Sequence, residues 1–140
     1  MKNCIVDASV VAGAFFREDT SPMAQTLLTS GCELHAPDLI YAEVANVIWK
    51  RHARNEIDET ESLALLSDIL ILPVQITPSR QLVEPALKLA LRTNRTVYDC
   101  LYLALAVQTK STMVTGDKRF VNALIDTPLE KYVSWIGHIR

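Results

Sequence analysis

The sequence has no excess of basic residues. Its 140 residues include 14 Lys and Arg against 16 Asp and Glu, which gives a net charge of −2. A protein that holds nucleic acid by overall electrostatic attraction usually carries a basic excess. A protein that simply coats DNA or RNA is therefore disfavoured, and any nucleic-acid role must depend on a local basic patch or on a metal ion.

Cysteine is scarce, and its spacing is not that of a metal site. Cys4, Cys32 and Cys100 are odd in number, show no C-x-x-C spacing and do not cluster with the three histidines. This pattern argues against bound zinc. We expect the three thiols to be small buried hydrophobic groups in a reducing compartment.

Long hydrophobic runs are also missing, since none approaches the roughly 20 apolar residues of a membrane-spanning helix. Residues 8–16, ASVVAGAFF, match the core of a signal peptide in length. However, Asp7 precedes them, and charged residues follow without a small-residue cleavage site. The sequence therefore predicts a soluble, cytoplasmic protein that does not associate with membranes.

The composition that is present, 49% hydrophobic and 21% charged residues, is that of a globular chain. Its length suits one domain, residues 1–140, with its own core. The slight apolar excess fits either wide buried helices or an exposed apolar face that binds a partner.

Short β-branched runs alternate with helical patterns along the chain. Strands are predicted at 4–6, 33–36, 74–76, 112–115 and 133–136. Helices are predicted at 8–16, 22–30, 38–55, 58–70, 80–91 and 98–108, with a short one after Asp117. The alternation indicates an α/β fold with a mostly parallel sheet between helical layers, and the 98–108 helix, apolar on nearly every face, should be central and buried.

Two acids follow predicted strands directly. Asp7 and Asp117 each lie just past a strand, at the edge where parallel α/β sheets bind ligands. Each could simply cap the helix that follows. Asp99 is the only charge between residues 96 and 109 and lies at the start of the most apolar helix. There it could interact favourably with the helix dipole, pair with a basic residue or bind a metal.

Glu43 lies inside a helix, so capping does not explain it. Ile40, Glu43 and Val47 share one face, and Glu43 therefore borders the buried stripe. An ordinary boundary glutamate is the alternative. If all four acids converge, their repulsion demands either a raised pKa or a cation, and an all-oxygen site suits Mg²⁺, or Mn²⁺, better than zinc.

Four segments in order, IVDASVV, PDLIYAEVANVIWK, TVYDCLYLALA and MVTGDKRF, resemble the PIN-domain family and, within it, the VapC-like toxins of toxin–antitoxin pairs. The resemblance spans essentially the whole chain. It implies a three-layer sandwich with a parallel, about five-stranded central sheet, and a Mg²⁺-dependent endoribonuclease. It also implies an RNA substrate, an antitoxin partner and a homodimer.

By the same resemblance, the family's acidic quartet falls on Asp7, Glu43, Asp99 and Asp117. Residues expected to support these acids are Ser9, Asn46 and Thr115. A further acid that some relatives carry after the last Asp is replaced here by Lys118 and Arg119. The number of metals, one or two, and whether Asp117 binds directly or through water therefore stay open.

Arg95, Lys118 and Arg119 flank proposed metal ligands in the sequence, which makes them candidates for phosphate contacts. Basic residues at the end of the Glu43 helix, including Lys50, could instead complement the helix dipole. Two alternatives to a nuclease stay open. One is an α/β protein-interaction module without catalysis, and the other is an aspartyl phosphotransfer enzyme that uses Asp7.

Overall fold

A computed structural model of the chain describes residues 2–138. Five strands form one sheet in the order β3-β2-β1-β4-β5, and every neighbouring pair is parallel. The strands are β1 (Asn3–Val6), β2 (Glu33–Pro37), β3 (Val74–Thr77), β4 (Thr112–Thr115) and β5 (Val133–Trp135). The predicted five-stranded parallel sheet is confirmed.

Helices connect the strands, as parallel pairing requires. They are α1 (Ala8–Gly13), α2 (Ser21–Leu28), α3 (Leu39–Ala53), α4 (Glu59–Leu70), α5 (Val83–Thr93), α6 (Val97–Thr109) and α7 (Lys118–Ala123). Short 3₁₀ turns cover Ser79–Gln81, Glu130–Tyr132 and Ile136–His138. Among residues 2–138 no helix combines the length and apolar character needed to cross a bilayer.

Helix α6 packs against β1, β2 and β4 and forms much of the core. Every residue from 100 to 106 is buried, so the prediction of a central buried helix is confirmed. Tyr102 is only 1% exposed. Tyr98, in the first turn of the same helix, is 62% exposed because it precedes the first buried turn.

Two helix boundaries differ from the sequence prediction by three residues, and the others by two or fewer. Helix α1 ends at Gly13 rather than Phe16 because the Ser21 hydroxyl donates hydrogen bonds to the carbonyls of Gly13 and Phe16, at 2.7 and 2.6 Å. The segment after β3 opens with a 3₁₀ turn, since Ser79 hydrogen-bonds the carboxylate of Asp38, and α5 starts only at Val83.

The carboxyl edge of the sheet is where the polar residues gather. Val6 pairs with Val114 across β1 and β4, so Asp7 and Thr115 meet at neighbouring strand ends. Ile5 and Val6 are fully buried in the central strand, which anchors Asp7 at the rim of the core. The central strand of the sheet thus delivers the first predicted acid to the ligand-binding edge.

Candidate active site

The four predicted acids line one cavity of about 240 Å³ at the carboxyl edge of the sheet. They come from four separate places in the sequence, the ends of β1 and β4 and the helices α3 and α6. The cavity is lined by Asp7, Ala8, Ser9, Glu43, Asn46, Val47, Lys50, Asp99, Tyr102 and Asp117. The fold therefore brings together the acids and two of their predicted supporting residues, Ser9 and Asn46.

Asp7 is the most buried of the four acids, with 8% of its surface exposed. Its Oδ1 accepts a 2.6 Å hydrogen bond from the Ser9 hydroxyl and a 3.2 Å bond from the Val10 amide, so it caps α1. Its Oδ2 accepts a hydrogen bond from the hydroxyl of Thr115. The Asp7 carboxylate thus caps α1 and also lines the cavity, and hydrogen bonds to both of its oxygens fix its orientation.

The hydroxyls of Ser9 and Thr115 also connect Asp7 to the turn after β4. Ser9 Oγ accepts the Gly116 amide at 2.9 Å, and Thr115 Oγ1 accepts the Asp117 amide at 3.0 Å. A side chain at Gly116 would place its Cβ 3.0 Å from Ser9 Oγ, so glycine permits this close approach. The turn is therefore positioned directly by the residues that hold Asp7.

Asp117 is exposed and caps α7, because its Oδ1 accepts the Phe120 amide at 3.1 Å. Asp99 does not cap its own helix. The Thr96 hydroxyl accepts the Asp99 amide at 3.2 Å and takes the capping role in α6. The carboxylate of Asp99, in the first turn of α6, is therefore not needed as a cap and lines the cavity.

Glu43 is half-buried on α3 and reaches the cavity beside α6. The Tyr102 hydroxyl donates to Glu43 Oε1 at 2.5 Å, which links the two helices across the site. Tyr102 is buried, so this hydroxyl would be costly to leave without a partner. The pair orients Glu43 in a way that no motif in the sequence indicated.

Burial and crowding raise the pKa values of the acids in the cavity. Burial raises the pKa of Asp7, and the charge of Asp99 raises it further, while hydrogen bonds from Ser9, Thr115 and Val10 oppose the rise. Loss of hydration is the larger of the two causes that raise the pKa of Asp7, because few waters reach a carboxylate at the base of the cavity.

The pKa values of Glu43 and Asp99 are also raised, again first by burial. The charges of Asp7 and Asp99 further raise the pKa of Glu43. The charge of Asp117 raises the pKa of Asp99, and Arg95 lowers it. Acids that resist ionising together are a favourable environment for a divalent cation.

The donor set suits a hydrated hard cation rather than a fully coordinated ion. Within residues 2–138 no three acidic, histidine or cysteine side chains are arranged to grasp one ion directly. Oxygen atoms of Asp7 and Asp117 are already engaged with backbone amides, and Glu43 with Tyr102. Mg²⁺ commonly keeps several waters and takes only one or two carboxylates, which fits four acids spread around one cavity.

Sequence reasoning missed two cavity residues, Tyr102 and Lys50. Tyr102 belongs to the helix that was predicted to be central and buried, and Lys50 was placed among the cations that could complement the end of α3, yet both line the cavity. The signal for Lys50 was its spacing of seven residues from Glu43, which places both on one helix face.

The three basic residues predicted to contact phosphate lie outside this lining. Arg95 is near enough to lower the pKa of Asp99. Lys118 places its Nζ 4.7 Å from the centre of the Trp135 ring, and Arg119 is exposed on α7. Of the three, Arg95 has the strongest electrostatic link to the acids.

The combination of this sheet and this acid cavity defines the class of protein: the chain belongs to the PIN-domain family, whose model matches residues 4–123. Its relatives include Ribonuclease VapC3 of Pyrobaculum aerophilum, 32% identical over 82% of this chain and 89% of that protein. Ribonuclease VapC1 of Mycobacterium tuberculosis is 33% identical over 88% of this chain and 92% of that protein.

Solved structures share the fold at lower identity. PAE2754 from Pyrobaculum aerophilum superposes with a TM-score of 0.73 at 18% identity, covering 97% of this chain and 85% of that one. VapC20 of Mycobacterium tuberculosis, described as a sarcin–ricin loop cleaving toxin, gives 0.67 at 16% identity, covering 86% and 95%. A chain of a toxin–antitoxin complex from Klebsiella pneumoniae gives 0.62 at 15%, covering 94% and 96%.

Proposed function

We propose that this chain is a Mg²⁺-dependent endoribonuclease and the toxin of a toxin–antitoxin pair. The observation that carries the proposal is the single cavity shared by Asp7, Glu43, Asp99 and Asp117 in a chain whose relatives are VapC ribonucleases. Mn²⁺ is the alternative ion, because it accepts the same oxygen donors.

Asp7 and Asp99 would hold the ion, with Asp117 completing the site directly or through water. When bound, Mg²⁺ would neutralise charge on the phosphodiester and favour attack by water. Glu43 suits proton acceptance from that water, since burial raises its pKa and Tyr102 orients it. An aspartyl phosphotransfer reaction is disfavoured because Ser9, rather than the second acid that this chemistry commonly uses, lies two residues after Asp7.

Lys50 is the proposed contact for the RNA backbone at the cavity wall, with Arg95 close to Asp99. A chain of net charge −2 needs such local cations, because its overall field repels RNA. Lys118 and Arg119 extend the candidate surface beyond the cavity along α7.

Cleavage of a defined RNA, with and without Mg²⁺, tests the nuclease directly. Asp7→Asn should lower the cleavage rate at least about 100-fold, because the variant removes charge from the site while keeping the side-chain shape. The matched control is Asp68→Asn on α4, an exposed acid outside the cavity lining, which should cut like the parent. Equal cutting by parent and Asp7→Asn would overturn the proposal.

The antitoxin has a candidate docking surface of different character. An apolar groove of about 350 Å³ lies between α3 and α4, and Trp49 and Leu63 in its lining are each 61% exposed. A solvent-exposed tryptophan in a groove is a typical anchor site for a partner segment. We propose that the antitoxin covers this groove and that two copies of the chain associate.

Co-purification with the protein encoded beside it in the genome tests the first of these assignments, and sedimentation of the isolated chain tests the second. A complex of defined stoichiometry is expected from the first measurement, and a mass of two chains from the second. If the chain is a monomer and does not co-purify with that protein, yet still cuts RNA, the nuclease activity stands and the proposed toxin role is wrong.

A further inference from the structure

Two of the three cysteines form a pair at the opposite end of the sheet from the acid cavity. Cys4 lies near the start of β1, and Cys32 immediately precedes β2. Their sulfur atoms are 2.8 Å apart. Cys100 is buried on α6 beside Thr93, with 3.9 Å between its sulfur and the Thr93 hydroxyl.

The backbone, rather than chance rotation of side chains, keeps the pair together. Asn3 lies opposite Glu33 in the parallel register, so Cys4 and Cys32 are on one face at diagonal positions. The Glu33 amide donates to the Lys2 carbonyl at 2.9 Å, next to Cys32, and the Cys32 amide donates to Ser30 Oγ at 3.3 Å. Cys4 is therefore held by the paired strand β1, and Cys32 by the hydrogen-bonded residues on either side of it.

The two thiols differ in accessibility. Cys4 is 4% exposed, whereas Cys32 is partly exposed at the surface end of the pair. Burial and the neighbouring Cys32 raise the pKa of Cys4 to about 12, so its thiol stays protonated at neutral pH. A reagent in solution therefore meets Cys32 first, and Cys4 lies behind it within bonding reach after a small movement.

We propose that Cys4 and Cys32 form a reversible disulfide, with a small-molecule disulfide such as oxidised glutathione as the electron acceptor. The Cys32 thiolate attacks one glutathione sulfur, which releases the first glutathione thiol and leaves a mixed disulfide on Cys32. Cys4 then loses its proton to solvent and attacks Cys32 Sγ, which releases the second glutathione. Two thiols and one disulfide thus become one protein disulfide and two glutathione thiols.

The bond would enclose α1 and α2 in a loop between residues 4 and 32 while leaving the carboxyl edge untouched. A disulfide stabilises chiefly by restricting the unfolded chain, and more so for longer loops. Oxidation should therefore raise the Tm by about 10 °C. RNA cleavage should not change, because Asp7 lies at the other end of β1.

Mass spectrometry of the full chain tests the assignment. The protein is equilibrated with oxidised glutathione, alkylated with iodoacetamide and digested with trypsin without reduction. The expected product links peptide 3–17 to peptide 18–50, whereas peptide 96–110 carries alkylated Cys100. The linked product should disappear after reduction with dithiothreitol, and the Tm rise should disappear with it.

Variants separate this pairing from general thiol oxidation. Cys100→Ala should retain the linked peptides and the Tm rise, whereas Cys32→Ala should lose both. Cys32 tolerates this change better than Cys4 because it is less buried. A stable glutathione adduct on Cys32 without the link, or a link that includes Cys100, would overturn the proposal.

Discussion

Helix α3 carries two surfaces of opposite character, and their comparison explains how one small chain can serve both catalysis and partner binding. The first surface faces the acid cavity and consists of Glu43, Asn46, Val47 and Lys50. The second faces the apolar groove and consists of Ala45, Ile48, Trp49 and His52. Both sets have the same i, i+3, i+4, i+7 spacing, displaced by two residues, which is roughly half a turn of helix.

The difference between these two surfaces lies in what packs against them. The first surface shares its cavity with residues of α1 and α6, with Asp7 and with Asp117, so its polar groups are surrounded by other acids and a buried tyrosine. The second surface faces α4 across the groove and leaves a tryptophan largely in solvent. A helix of low overall amphipathicity can therefore support two functions, because its neighbours differ on each side.

The largest expected effect is a separation of the two functions by variants on this one helix. Glu43→Gln should lower RNA cleavage by about 100-fold or more, since a general base commonly contributes that much. Partner binding should be unchanged. Trp49→Ala should do the reverse, weakening the antitoxin complex by about 30-fold, as for a tryptophan hot spot.

Cleavage rates and calorimetric titration of the partner, measured on both variants, check this separation. The exposed Ile125, which belongs to neither lining, provides a control in Ile125→Ala. Loss of both functions in either variant would mean that the two surfaces are not independent.

The next effect concerns the hydroxyl that crosses from α6 to Glu43. Tyr102→Phe keeps the buried ring but removes the hydrogen bond, so Glu43 should lose its fixed orientation. Supporting groups of this kind typically contribute 10- to 100-fold to metal affinity or activity, and we expect about 10-fold slower RNA cleavage. Tyr98→Phe, on the exposed side of the same helix, should leave the cleavage rate unchanged. An unaltered cleavage rate in Tyr102→Phe would contradict the positioning role.

Lys50 should have a smaller and more specific effect. Lys50→Ala should raise the KM for RNA several-fold with little change in kcat, and should reduce the slope of log affinity against log salt by about one. Lys88→Ala, which removes an exposed cation paired with Glu84 on α5, serves as the control. A slope that stays the same would place the RNA backbone elsewhere, with Arg95 as the next candidate.

The smallest effect is on stability and follows from the raised pKa values of Asp7, Glu43 and Asp99. Groups whose pKa is higher in the folded state bind protons more tightly there, so they stabilise the fold below their ordinary values of 3.8 and 4.5. That stabilisation is lost as the pH rises through the raised values. Ionisation of these three acids should therefore lower the free energy of unfolding of the metal-free protein above about pH 4.

Asp99→Asn should stabilise the metal-free protein at pH 7 by about 1 kcal/mol, because it removes a partly buried charge and its repulsion of Asp117. Urea unfolding at pH 4 and pH 7, in chelator and in Mg²⁺, measures the difference between parent and variant. Mg²⁺ should stabilise the parent more than the variant. A variant that is less stable than the parent in chelator would show that the charge of Asp99 does not destabilise the metal-free fold.

Much of this architecture was predictable because it depends on local pattern. Alternating strand and helix signals predicted the parallel sheet, and the local Asp58-x-x-Glu61 pattern forms a capping box at the start of α4. The position of Asp7 after a buried strand was sufficient to place it at the binding edge. The Tyr102–Glu43 hydrogen bond was not predictable, since 59 residues separate its partners and both had sufficient local explanations.

The sequence by itself determined the order of strands and helices and the four acids that follow or border buried segments, because hydrophobic periodicity and capping are local properties. Only the tertiary structure decided that these acids share one cavity, that Lys50 joins them, and that Trp49 faces solvent. The physical reason is that convergence depends on which elements pack together. Helix α3 has enough apolar residues to bury either side, and its packing against α1 and α4 decides what each side meets.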